Sequence, residues 1–225
     1  MTFGEAGLDA TQKELRQIIV QGKALGQKYH TVITNPPYMG SAGMGDKLTK
    51  RVKDDYPDSK NDLFAVFIER ILYMLYPNAY QAMITQHAWM FLPGFESLRE
   101  KIQHIDIVNM AHLGPRAFEE ISGEVVQTTS FVYRNSDTQY RGIYCRLVSY
   151  PSQQSKNIAF LAGKKQFVAK QSEFLSIPEA PIVYWLSDKA LKPYSDGTLL
   201  LGELAAPCAG LATGDNNLFQ RFWHE

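Results

Sequence analysis

The tetrad Asn35-Pro36-Pro37-Tyr38 constrains this chain more than any other stretch, because of the residues that stand before it. Tyr29-His30-Thr31-Val32-Ile33-Thr34 is rich in β-branched side chains and runs straight into the two prolines. Such side chains pack well on a pleated surface, so the run reads as a buried strand. Proline has no N–H for a sheet ladder and fixes φ, so Pro36-Pro37 ends the strand and holds the following backbone extended and stiff. Asn35 and Tyr38 are then expected to project from a rigid loop at the carboxyl end of a strand, where open α/β sheets bind their ligands. The plainer alternative is a strand followed by a proline turn, with Tyr38 as a surface aromatic.

The rest of the chain supplies helices and strands around that strand. Thr11-Gln12-Lys13-Glu14 has the form of a capping box, and Leu15, Ile18, Ile19 and Leu25 follow at helical spacing, with Gly26 as the stop. After the tetrad, Met39 to Gly45 contains three glycines and reads as mobile. Lys47, Lys50, Arg51 and Lys53 then gather within a few residues, either as a solvated helix face or as phosphate contacts beside the mouth of a site. Ser59 to Asp62 offers competing caps for a second helix. Its run Leu63-Phe64-Ala65-Val66-Phe67-Ile68 is apolar almost all round, so that helix is expected to be buried on more than one side.

Pro77-Asn78 turns the chain into a second strand, Ala79 to Thr85. Pro93-Gly94 precedes a helix from Phe95 to about Gln103 with Leu98 and Ile102 inward, and Ile105 to Met110 is a third strand candidate. Strands alternating with helices at this spacing predict an α/β fold with parallel strands. The pattern then changes: Val125 to Tyr133 and Tyr140 to Val148 read as strands around a turn at Asn135-Ser136-Asp137. That predicts an antiparallel hairpin at the edge of a mixed sheet. Gln153 to Lys156 reads as a linker, Pro181 as the start of a helix through Leu191, and Gly210 to Asn217 as a glycine-and-amide loop.

Bulk properties narrow the function classes. With 225 residues the chain can bury one sizeable core and part of a second domain. Its 23 basic and 23 acidic side chains cancel, which gives no global electrostatic argument for nucleic acid but leaves room for a local basic patch. Cys145 and Cys208 have neither metal-ligand spacing nor a disulfide framework, so a reducing cytoplasm is the default location. The longest apolar stretch, Leu63 to Tyr76, is interrupted by Glu69 and Arg70 and is too short for a bilayer.

Asn-Pro-Pro-Tyr after a strand, within alternating β and α segments, resembles the catalytic motif of amino-methyltransferases that use S-adenosylmethionine. More narrowly, the chain resembles the adenine-N6 DNA methyltransferases of restriction and phage-defence systems, and within these the PglX type of bacteriophage-exclusion (BREX) loci. The resemblance is carried by Thr34 to Gly40, Tyr56-Pro57-Asp58-Ser59-Lys60, Asp62 to Arg70, Met110-Ala111-His112-Leu113-Gly114, Gly123 to Thr129 and Gly210 to Asn216. It implies the C-terminal half of a class I (Rossmann-like) methyltransferase sheet in residues 1–150, followed by a linker and the start of a DNA-recognition region in residues 151–225.

The resemblance also implies roles for residues. The side-chain oxygen of Asn35 and the backbone carbonyl of Pro36 would accept from the N6 amino group of an adenine extruded from double-stranded DNA, with Pro37 stiffening the loop. Tyr38 would stack on that base, and Phe118 is the candidate for its other face, against the alternative of a loop phenylalanine covering the core edge. Lys47 and Lys50 become candidate substrate contacts. His87 and His112 are read as structural, since this chemistry requires no histidine base. The family binds its methyl donor with a glycine-rich loop after an earlier strand. Gly4, Gly7 and Gly22 do not form such a loop ahead of Tyr29, so the main cofactor-binding half is expected to lie outside this chain. Beyond DNA, the expected partners are other phage-defence proteins or an N-terminal polypeptide, with no membrane. Two alternatives stay open: a non-catalytic remnant or assembly module that contacts DNA, and a methyltransferase acting on protein glutamine or RNA.

Overall fold

A computed structural model of the chain describes residues 3–118 and 126–195. Helix α1 (Phe3–Gly26) leads into strand β1 (Tyr29–Thr34), and α2 (Asp46–Asp55) and α3 (Leu63–Met74) follow. Then come β2 (Leu75–Gln86), α4 (Glu96–Ile102), β3 (Asp106–Gly114), β4 (Thr128–Arg134), β5 (Arg141–Arg146), α5 (Gln153–Leu161), β6 (Gln166–Lys170) and α6 (Asp188–Ser195). The strands form one six-stranded sheet in the order β1-β2-β4-β3-β5-β6. β1 and β2 pair in parallel, as do β3 and β5, while β4 is antiparallel to both β2 and β3, and β6 is antiparallel to β5. β1, β2, β3 and β5 therefore point the same way, and their carboxyl ends share one edge with the Asn35–Tyr38 loop.

The mixed α/β sheet is as expected, but its antiparallel strands are arranged differently. The two segments read as a hairpin, now β4 and β5, do not pair; β3 lies between them. β4 fills the gap left when the chain crosses from β2 to β3, and Tyr133, Phe131 and Thr129 pair with β2 and β3 on both sides. The antiparallel edge is β5–β6 instead. There, β5 needs a glycine: a Cβ at Gly142 would stand 2.3 Å from the Ile107 carbonyl oxygen.

Alternation sorts the sheet into two faces. Met83, Met110, Phe131, Tyr133 and Tyr144 point to one side, where Phe64, Ala65, Ile68 and Ile71 of α3 cover them together with Trp89, Leu98 and Ile102. Leu63 and Val66 turn instead toward Met44, Val52 and Tyr56, so α3 is indeed buried on two sides. On the opposite sheet face Ile33, Ile143 and Val168 remain exposed.

Four local expectations are corrected. Among the described residues β1 is an edge strand with no fully buried residue, not the buried strand expected, because β-branched side chains suit a pleated surface whether or not it is covered. Thr11 lies inside α1 and does not open it, because a Thr-x-x-Glu spacing also suits the solvated face of a continuous helix. Gln153 to Lys156 is the first turn of α5, capped by Ser152 and Ser155, and not a linker. Pro181 starts no helix; the helix in that region begins at Asp188. The Gly210–Asn217 loop, Cys208 and part of the Gly123–Thr129 string lie outside the described residues. No helix among the described residues is long and apolar enough to cross a membrane.

Candidate active site

β1 delivers the tetrad to the carboxyl edge of the sheet. Asn35 is exposed and its amide makes no hydrogen bond to another described residue, Pro36 is buried, and Pro37 is exposed. Tyr38 does not project freely as the sequence suggested. It is half-buried against the core, with its ring edge-on to Phe64 at 6.1 Å and 83°. Phe64 in turn packs on Phe95 at 5.7 Å. The Tyr38 hydroxyl is buried with no hydrogen-bond partner among the described residues, and burial pushes its pKa up to about 12. Tyr38 is thus a neutral ring held at a fixed angle beside an exposed carboxamide. Such a pair can accept from a polar N–H and offer a flat apolar face, and it contains no strong base.

Past Tyr38 the chain is fastened to the start of α3. The Met39 N–H donates to Asp62 Oδ1 at 3.0 Å, the Leu63 N–H donates to the Met39 carbonyl at 3.0 Å, and Gly40 and Asp62 form an antiparallel bridge. Asp62 is also the α3 cap, accepting from the Phe64 N–H at 3.3 Å. Burial pushes its carboxyl pKa up, against the opposing pull of the backbone N–H groups of Phe64, Met39 and Leu63. The glycine-bearing stretch expected to be mobile holds a short helical turn over Ser41–Gly43 and a buried Met44. Lys47 and Lys50 follow on α2, both exposed, while Arg51 is paired with Asp55.

The Tyr56–Lys60 and Asp62–Arg70 strings meet in a partly buried ionic network around the buried Glu69. The Ser59 hydroxyl donates to Glu69 Oε2 at 2.7 Å, and Lys101 Nζ reaches Glu69 Oε1 at 2.6 Å and Asp58 at 2.7 Å. This fixes the segment after α2 against α3 and α4, behind the Tyr38–Phe64 contact.

His87 follows β2 and His112 lies near the end of β3, so both reach the same edge. Their rings are joined, Nδ1 of His87 to Nε2 of His112, at 2.7 Å, and His112 Nδ1 lies 3.1 Å from the Tyr184 hydroxyl. Burial lowers both pKa values; that of His112 is pushed down to about 3, with His87, Arg146 and Lys156 adding to the effect. Trp185 packs on Phe91 and His112 with the Arg146 guanidinium 4.9 Å over its ring. Phe118 is half-buried in the loop after β3 and makes no ring contact with Tyr38. Tyr184 and Trp185 were missed in the sequence because nothing in the irregular stretch after Pro178 signals which ring turns inward. Asp62 was noticed as a cap and as the start of the Asp62–Arg70 string, with no contact to the loop assigned to it.

The glycines ahead of β1 do not build a cofactor cradle. Gly4, Gly7 and Gly22 lie within α1, and a Cβ at Gly22 would meet open space. No cluster of potential metal ligands occurs among the described residues.

Comparison with known proteins places these features in context. The model of the family described as Eco57I restriction-modification methylase matches residues 5–118. The chain is 48% identical over 232 aligned positions to the adenine-specific methyltransferase PglX of Lacticaseibacillus casei (strain Zhang), covering 100% of this chain and 19% of that protein. It is 38% identical over 216 positions to the adenine-specific methyltransferase BrxX of Escherichia coli O9:H4 (strain HS), covering 94% of this chain and 18% of that one. The chain thus spans about a fifth of the length of these curated relatives. Its fold resembles a chain from a solved type I restriction-modification system, with a TM-score of 0.53 at 13% identity, covering 81% of this chain and 42% of that one.

Proposed function

This chain belongs to the Eco57I restriction-modification methylase family, and from that premise we propose that it forms the base-holding part of a site-specific adenine-N6 DNA methyltransferase serving in phage defence. The observation that carries the reading is the Asn35–Tyr38 loop. An exposed carboxamide with no hydrogen-bond partner among the described residues and a wedged ring stand on a stiff turn at the carboxyl edge of the sheet, within a chain 48% identical to a protein named as an adenine-specific methyltransferase.

The chemistry follows from the substrate. The N6 lone pair of adenine is delocalised into the ring, so the amino group is a poor nucleophile. The Asn35 side-chain oxygen and the Pro36 carbonyl accept from its two hydrogens, draw the nitrogen toward a tetrahedral shape and localise that lone pair. As positive charge develops on nitrogen both bonds strengthen, so positioning and acceptor electrostatics supply the rate. A hydrogen bond to a charged group is worth about 1.5–3 kcal/mol, which makes Asn35 worth roughly one to two orders of magnitude in rate. Extruding the base costs a few kcal/mol, and stacking on Tyr38 returns about 1–3 kcal/mol. Phe118 closes the other face, and Lys47 and Lys50 contact the phosphate backbone beside the extruded nucleotide.

The methyl donor is S-adenosylmethionine. The described residues do not form a cradle for it, and the roles assigned here are confined to the base. Residues 1–150 are read as the catalytic-loop part of the methyltransferase domain and residues 151–225 as leading to a DNA-recognition region, in a cytoplasmic enzyme. The test is nucleoside analysis of DNA, RNA and protein incubated with labelled donor and a full-length polypeptide carrying this segment. N6-Methyladenine in the DNA supports the proposal. Label in RNA or protein overturns it, as does DNA binding with no label transferred.

A further inference from the structure

Two prolines stiffen the tetrad but leave it without N–H groups at Pro36 and Pro37, so its placement depends on what holds the residue that follows Tyr38. That residue is held by the start of α3. The Met39 N–H donates to Asp62 Oδ1 at 3.0 Å, and the Ser41 N–H donates to the Asn61 carbonyl at 3.1 Å. The same Asp62 oxygen accepts from the Phe64 N–H at 3.3 Å, and Phe64 is the residue whose ring meets Tyr38 edge-on. One carboxylate oxygen therefore couples the exit of the loop to the helix turn that carries the platform for Tyr38. The Leu63 N–H also donates to the Met39 carbonyl at 3.0 Å, so the carboxylate adds a side-chain tether to a backbone one and alone joins the loop exit to the Phe64 N–H.

We propose that Asp62 is a positioning residue for the adenine site: its carboxylate, through the Met39 N–H, sets where the Asn35 amide and the Tyr38 ring meet the extruded base. The inference rests on the methyltransferase reading above. A reacting group displaced by about 1 Å costs up to a hundredfold in rate, so a tether of this kind acts on turnover more than on binding.

Capping and tethering can be separated by substitution. Serine caps a helix about as well as aspartate, but its hydroxyl is one bond shorter and cannot serve Phe64 and Met39 together. Asparagine keeps an oxygen at the position of Oδ1. In a full-length polypeptide carrying this segment, Asp62→Ser is expected to melt within a few degrees of the unaltered protein and to bind DNA with Kd within about twofold. Its Met39 amide should exchange about tenfold faster or more, and its kcat should fall about 10- to 100-fold. Asp62→Asn should restore both exchange and kcat. Unchanged Met39 exchange in Asp62→Ser, or fast exchange with an unchanged kcat, overturns the tether, as does failure of Asp62→Asn to rescue. If the unaltered protein forms no N6-methyladenine, the methyltransferase reading falls and the positioning role falls with it. Intact methylation in Asp62→Ser removes the positioning role alone.

Discussion

Nδ1 of His87 lies 2.7 Å from Nε2 of His112, and the pair is continued by the Tyr184 hydroxyl 3.1 Å from His112 Nδ1. One proton between two ring nitrogens requires the accepting ring to be neutral, and burial lowers the pKa of both rings and so favours the neutral pair. The folded state thus binds fewer protons than the unfolded state below the ordinary histidine value of 6.5. Stability from the pair is complete above that value and is lost as pH falls from it toward about 3. Urea unfolding at pH 7, 6 and 5 should show a falling midpoint, and His112→Asn should flatten that slope. The same slope in the variant would show that other groups carry the acid sensitivity.

Asp106 should be among the costliest side chains to remove. It is 5% exposed and accepts from Arg134, Ser136, the Thr138 hydroxyl and N–H, and the Tyr140 N–H. Burial acts to raise its pKa, but the hydrogen bonds of Ser136, Arg134 and Thr138 outweigh it and hold the carboxyl well below the usual carboxylate range. Its contribution is therefore present above about pH 4 and lost below it. Asp106→Ala should cost about 2–4 kcal/mol in equilibrium unfolding at pH 7, by leaving an Arg134 guanidinium and two backbone donors without their acceptor.

The glycines separate into required and replaceable. Gly142→Ala places a methyl group 2.3 Å from the Ile107 carbonyl oxygen and 3.2 Å from the Tyr144 ring, so β5 must shift away from β3. A loss of about 2 kcal/mol or more is expected from thermal unfolding. Gly22→Ala, in open space within α1, should instead stabilise the helix by up to about 1 kcal/mol.

What was legible in the sequence was local and short-range. The strand at Tyr29–Thr34, its arrest at Pro36-Pro37 and the inward Leu98 and Ile102 of α4 follow from β-branching, proline stereochemistry and helical spacing. The place of β4 did not follow. Thr129, Phe131 and Tyr133 alternate with smaller residues in the same way whether the strand lies at an edge or between two neighbours. Only the long-range pairing with β2 and β3 decides. The site divides similarly. Asn35 stands where the tetrad implied, whereas the inward lean of Tyr38 depends on Phe64, 26 positions later in the chain. The double use of the Asp62 oxygen was hidden because an N-cap explains an aspartate before a helix completely, with no sign that a second donor arrives from the loop.

In the proposed function Asn35 holds the amino group of an extruded adenine. Its most direct test is the single-turnover rate of adenine-N6 methylation by a full-length polypeptide carrying Asn35→Ala, measured beside DNA affinity. Asn35→Ala is expected to lower the rate by about one to two orders of magnitude with Kd for DNA unchanged. N6-Methyladenine formed at the unaltered rate by Asn35→Ala would contradict it.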